Sequence, residues 1–163
     1  MQYKDELVLD FARRTLKNLE FVEQYATGHS QEPDIQVYEV TQLINSMMGL
    51  LVFPQQRLYE SIPETPLSVL LAEGFPEIHP KIGRLRQDTL RQLLRYLRNG
   101  ISHFNVRFIS DEHHHLSGLE VWNIPNGEKH PDWVVELTLE QLKAIVIHFV
   151  RFIENYYGEP HRT

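Results

Sequence analysis

Cysteine is absent from the 163 residues of this chain. That excludes a disulfide framework, thiol catalysis and any Cys-based zinc site. Long apolar runs are missing too. None approaches the ~20 residues that span a bilayer, so no membrane association is expected. The N-terminus shows no signal-peptide pattern, which makes a cytoplasmic location the expectation. There is no Gly-rich phosphate loop and no nucleophile elbow, and nothing calls for a cofactor. Positive charge is scarce: 16 Lys and Arg stand against 22 Asp and Glu, for a formal net charge of −6. A general nucleic-acid binder draws its affinity from phosphate neutralisation, so this balance counts against one.

What remains is an ordinary globular composition, 42% hydrophobic and 23% charged, and long enough for one domain over residues 1–163 with a real core. The cations are not evenly spread. Lys81 to Arg107 holds seven Lys or Arg against one acidic residue, Asp88. A basic stripe on an acidic chain suits a small anionic target better than a long duplex.

The stripe ends in Arg98-Asn99-Gly100-Ile101-Ser102-His103. At about 100° per residue, with Arg98 at 0°, Arg84, Arg91, Arg95, Asn99, Ser102 and His103 fall between about 20° and 140°. Leu90, Leu94, Leu97 and Ile101 fall between about −40° and −100°. One helix face is therefore cationic and the other apolar. Asn99 and His103 are i,i+4 neighbours whose side chains can touch. Gly100 sits inside this helix, where Gly costs ~1 kcal/mol relative to Ala. That points to close approach by another backbone or to a loosened last turn.

Hydrophobic spacing predicts a first helix from Tyr3 to Ala26 and a loop from Thr27 to Pro33. A second helix, capped by Asp34, runs from Ile35 to about Phe53, with Pro54 at its end. Its stripe of Glu39, Gln42, Asn45 and Ser46 is polar but mostly uncharged, which fits either partial burial or a weakly polar surface. A short helix fits Leu67 to Glu73 with Pro66 in its first turn. The motif helix spans about Lys81 to Phe104. Short strands follow at Asn105 to Ser110, Gly118 to Ile124 and Trp133 to Leu137. Asn126-Gly127 marks a turn between the last two. Thr138 and Gln141 form a capping box that opens a last helix, ended by Gly158 and Pro160. The expected fold is mainly α: an up-and-down bundle of four main helices with a small antiparallel β-element before the last one.

Arg98 to His103 resembles the Arg-x(4–6)-His motif of HEPN nucleases, in which Asn, Asp or His commonly follows the Arg. The segments from Glu39 to Leu50 and from Leu97 to Val106 are similar to a plasmid-borne bacterial branch of HEPN proteins. The resemblance implies a homodimer in which two motif helices meet in a composite site. It implies metal-independent RNA cleavage that leaves a 2′,3′-cyclic phosphate, in a toxin–antitoxin or phage-defence setting. It also implies an antitoxin partner of nucleotidyltransferase type. Some HEPN domains do not cleave and only dimerise or bind RNA, nucleotide or protein, which is the alternative reading.

The roles follow from side-chain chemistry. Histidine suits proton transfer, because its ordinary pKa of about 6.5 lies near working pH. His103 is thus the candidate base or acid, and a second copy's imidazole can take the other role. Arg98 can clamp non-bridging phosphate oxygens, and Asn99 can orient His103 or contact phosphate. Ser102, Arg95 and Arg91 are candidates for holding the flanking backbone.

Spacing alone is a weak signal, since eleven Arg and nine His produce roughly one or two such matches by chance. Arg107 with His113 or His114 is one of them, in a strand-and-loop context. Asp111, Glu112, His113, His114 and His115 supply metal-binding side-chain types. Consecutive residues on a turning segment point apart, so a solvated loop is expected there instead of a metal site. His148, within the last apolar helix, is read as a core or interface histidine.

Overall fold

A computed structural model describes residues 3–28, 39–113 and 116–158. Its elements are α1 (Tyr3–Gly28), α2 (Glu39–Leu58), a 3-10 turn at Tyr59–Ser61, α3 (Leu67–Leu71), β1 (Pro80–Ile82), α4 (Leu90–Ser102), β2 (Val106–Ser110), β3 (Leu116–Asn123), β4 (Trp133–Thr138) and α5 (Leu139–Gly158). The chain is mainly α, as expected. α1 packs on α2 and α5, and α2 also meets α4 and α5. Met47, Leu50, Leu93, Leu94, Leu97, Ile145 and Phe149 are wholly buried between them. Each such side chain contributes about 1.5–3 kcal/mol by leaving water.

The strands form one antiparallel sheet in the order β1-β4-β3-β2. Two features of the fold correct the expectation. The motif helix begins at Leu90, not Lys81, and the residues ahead of it supply a strand. Pro80 and Ile82 pair with Val135 and Val134 on β4. Gly83 then takes a left-handed φ of 69° with its Cα against the Asp132 carbonyl, where any Cβ would collide. That breaks the chain before the helix. Thr89 restarts it, its Oγ1 accepting from Gln92 N at 3.4 Å. The β-element therefore draws one strand from before the motif helix and does not sit wholly between α4 and α5.

The second correction concerns Pro54. α2 runs through it to Leu58. Proline removes one backbone donor and disfavours a helix interior by ~3 kcal/mol. Leu50 and Leu51 before the proline and Leu58 after it are buried, which anchors the helix in the core on both sides. The expected Asp34 cap, the 29–33 part of the loop, the 35–38 start of the second helix, His114, His115 and Pro160 lie outside the described residues. Of the uncharged stripe on α2, Ser46 is buried and accepts from Gln42 Nε2 at 3.3 Å, while Asn45 is exposed.

Other local signals match. Thr138 N donates to Gln141 Oε1 at 2.9 Å and Gln141 N to Thr138 Oγ1 at 3.2 Å, a reciprocal capping box at α5. Glu128 N donates to Pro125 O at 3.0 Å, closing the turn around Gly127, whose φ is 85°. Pro66 caps α3. His148 packs edge-on against Phe75, with ring centroids 5.2 Å apart.

Candidate active site

The far end of α4 is fixed by its contact with β3. A Cβ on Gly100 would collide with Val121 Cγ1 and lie 2.9 Å from Trp122 O, so the glycine lets helix and strand touch. The helix closes with Phe104 N donating to Ile101 O at 3.0 Å and Asn105 N to Gly100 O at 2.8 Å. This is a Schellman ending, in which the residue after the cap adopts left-handed backbone. Phe104 fills that position, with a φ of 58° and 76% exposure, where glycine is usual. Asn105 O then accepts from Trp122 N at 3.1 Å. The last turn of α4 is thus tied to the middle of the sheet.

Beside it opens a cleft of about 500 Å³. α4 supplies Gln92, Arg95, Tyr96, Arg98 and Asn99, with His103 at its cap. Arg86 comes from the segment ahead of the helix, and residues 123–126 with Asp132 close the opposite wall. Three arginines against one carboxylate make an anion-attracting surface, of a volume usual for small-molecule pockets.

Arg98, Asn99, His103 and Arg95 therefore share one cleft. Ser102 is exposed at the helix end and does not line it. Arg91 is held elsewhere: it donates to Ile62 O at 2.6 Å, Glu60 O at 3.1 Å and Glu64 Oε1 at 2.9 Å. Its guanidinium and that of Arg95 each lie 5.8 Å from the Tyr59 ring centroid. Arg84, placed on the helix by its angle, precedes it in the structure. On the helical wheel the cleft takes Arg95, Asn99, Gln92, His103 and Tyr96 at about 60°, 100°, 120°, 140° and 160°. The working face is thus rotated away from the arginine stripe, and Arg98 stands at its edge.

The rotation has a cause in the sheet. Asn123 ends β3 opposite Trp133, the first residue of β4, and Asp132 N donates to Asn123 O at 3.1 Å. Asn99 Nδ2 donates to Asn123 Oδ1 at 3.2 Å, and Asn123 Nδ2 to Asp132 Oδ1 at 2.7 Å. Tyr96 OH donates to Asp132 Oδ2 at 3.5 Å, while its ring meets buried Trp133 edge-on at 5.4 Å. So the Asn99 side chain bonds across to the sheet, while its backbone carbonyl accepts from His103 N at 3.1 Å. Asn123, Asp132, Tyr96, Gln92 and Arg86 were not among the expected site residues. One clue to the first two was available: Asn-Gly at 126–127 pairs the segments around it, which brings 123 and 132 together.

The second Arg–His spacing has no such setting. Arg107 Nη2 lies 2.9 Å from Glu120 Oε2, across the β2–β3 ladder, and His113 N donates to Asp111 Oδ1 at 2.8 Å. Among the described residues no group of three or more His, Asp or Glu is placed to hold a metal ion. Nor, among them, is any helix long and apolar enough to cross a membrane.

A helical chain whose motif helix ends in Arg-Asn-x3-His inside a cationic cleft fits the HEPN class. The chain belongs to that superfamily: the family described as HEPN pEK499 p136, of plasmid-associated type, matches residues 1–160. No curated protein and no solved structure matches it.

Proposed function

We propose that this chain is a metal-independent endoribonuclease of HEPN type, with residues 1–163 forming one domain. The observation that carries the reading is the convergence of Arg98, Asn99 and His103, with Arg95 and Arg86, on one cleft. In the proposed reaction the substrate's 2′-oxygen forms a bond to the adjacent phosphorus, and the bond from phosphorus to the 5′-oxygen breaks. The products are a 2′,3′-cyclic phosphate and a 5′-hydroxyl. An imidazole takes the 2′-hydroxyl proton, and a second imidazole protonates the leaving 5′-oxygen. Among the described residues one imidazole, His103, lines the cleft, so we assign the two roles to His103 and to the partner's His103 in a homodimer. Arg98 stabilises charge on the non-bridging oxygens, Arg95 and Arg86 hold flanking phosphates, and Asn99 orients the reacting groups.

The biological setting that goes with this reading is a toxin–antitoxin or phage-defence system, with an antitoxin of nucleotidyltransferase type as neighbour. The test is incubation of the purified protein with total RNA, with and without EDTA, beside His103→Ala and Arg98→Ala. Cleavage that persists in EDTA and disappears in both variants is expected. Inactive wild-type protein ends the nuclease reading and leaves a binding or dimerisation module, and cleavage by both variants ends the nuclease reading of this site. Loss of activity in EDTA ends the metal-independent mechanism.

A further inference from the structure

The relay from Asp132 through Asn123 to Asn99 has a direction. A carboxamide has a donor end and an acceptor end, whereas a carboxylate only accepts. Asp132 therefore draws the Nδ2 end of Asn123, at 2.7 Å, which turns the Oδ1 end of Asn123 toward Asn99. That oxygen draws Nδ2 of Asn99, at 3.2 Å. The end of the Asn99 amide outside the relay is thus Oδ1, on a residue that lines the cleft. Asn123 is 6% exposed, so water competes little for its two bonds. Tyr96 OH, donating to Asp132 Oδ2, holds the carboxylate from its other side.

An acceptor at this place is informative. Its neighbours Arg95, Arg98 and Arg86 are donors only and suit phosphate. A phosphate oxygen has nothing to donate to Oδ1, so any ligand group that bonds Asn99 Oδ1 is a donor close to a phosphate. At an internal linkage of a nucleic acid the 3′- and 5′-oxygens are esterified. The sugar's one remaining donor is the 2′-hydroxyl, which is also the group that separates RNA from DNA.

We propose that Asp132 and Asn123 are positioning residues. They hold Asn99 with its Oδ1 ready to accept from a substrate 2′-hydroxyl, so that the cleft distinguishes ribose from deoxyribose. This rests on the reading of the cleft as an RNA site.

The test is the ratio of affinities for RNA and DNA oligonucleotides of the same sequence, by fluorescence anisotropy, in a His103→Ala background that stops turnover. A preference for RNA of about tenfold is expected, the size of one well-made hydrogen bond. Asp132→Ala frees Asn123 to turn either way, and the ratio should fall close to one. Exchanging the two groups, Asn123→Asp with Asp132→Asn, reverses the bond between them but leaves position 123 accepting from Asn99 Nδ2, so it should keep the ratio.

A purely structural Asp132 would alter the thermal midpoint without touching the ratio. If Asp132→Ala does not fold, Asn123→Ala breaks the relay at its middle and must collapse the same ratio. An unchanged ratio in a folded Asp132→Ala protein, or its loss in a folded exchange variant, overturns the inference. So does a ratio that follows base composition, because Asn99 would then be reading a base amine. Wild-type cleavage of RNA, measured in parallel, separates the two readings. Cleavage with no RNA preference removes this inference alone, and RNA preference without cleavage removes the nuclease reading alone.

Discussion

The chain carries two Arg–His pairs at nearly the same spacing, and their surroundings differ. Arg98 and His103 lie at the end of a helix whose apolar face is wholly buried and whose last turn is bonded to β3. Both line the same cleft. Arg107 lies on β2, the outermost strand of the sheet next to β3, and its guanidinium faces Glu120 on that neighbour. His113 follows in an exposed turn. A short motif gains chemical meaning from the element that fixes both of its residues, because proton transfer needs groups held to within a fraction of an ångström.

Removing each imidazole in turn should give the largest difference between the two pairs. His103→Ala should lower RNA cleavage about 10²- to 10⁴-fold, the range for losing a general acid–base. His113→Ala should leave the rate within about twofold, since it takes no part in that transfer. Initial rates on a labelled RNA decide it. Equal losses in the two variants would show that the cleft has no privileged role.

Next in size is the anchor beneath the first pair. Gly100→Ala favours the helix by ~1 kcal/mol in propensity, yet its Cβ would collide with Val121. Overpacking against a sheet should prevail, so we expect a net destabilisation of about 1–3 kcal/mol. A lower urea midpoint with an unchanged m-value reports it. A more stable variant would mean that α4 and β3 separate easily, and the case for a rigid scaffold would weaken.

Arg91 lies on the motif helix itself but outside the cleft. On the wheel it stands with Arg98, about 20° away. Its three hydrogen bonds run to the segment at 60–64, and its side chain is only 20% exposed. Arg91→Ala should cost about 1–2 kcal/mol of stability, chiefly by leaving the carbonyl of buried Ile62 without this donor. Cleavage per folded molecule should hold, as read by comparing rate with the folded fraction from circular dichroism. A cleavage defect without a stability defect would return Arg91 to the substrate side.

Arg91 also shows which features a sequence carries. Helical angle placed it with the site, and the angle was right; a partner 27 residues away in sequence decided otherwise. Local devices were legible. The Thr138–Gln141 box needs four consecutive residues, and Gly100 announced a close contact by sitting where a helix does not favour it. The early stop before α4 was not legible, because it depends on Gly83 meeting the Asp132 backbone. Nor was the Asn99–Asn123–Asp132 relay, whose members come together only through the β3–β4 pairing. Period and composition report a residue's own element. The wall of the cleft facing α4 belongs to another.

The smallest expected effect is the most pointed check on the comparison. Arg107 pairs with Glu120 at 2.9 Å, but its side chain is 64% exposed, and Lys81 also approaches the same carboxylate at 3.8 Å. Solvent screens a pair of this kind, and Lys81 remains to face Glu120 when the arginine is gone. Arg107→Ala should therefore change stability by no more than about 0.5 kcal/mol. Raising the salt from low to moderate concentration should shrink even that difference, since exposed charges are screened over about 10 Å at 0.1 M. Cleavage should match wild type, because the side chain is tied to the sheet and lies outside the residues that line the cleft. If Arg107→Ala instead lost as much activity as Arg98→Ala, the cationic surface as a whole would be the functional unit. The cleft at the end of α4 would then be only one part of it.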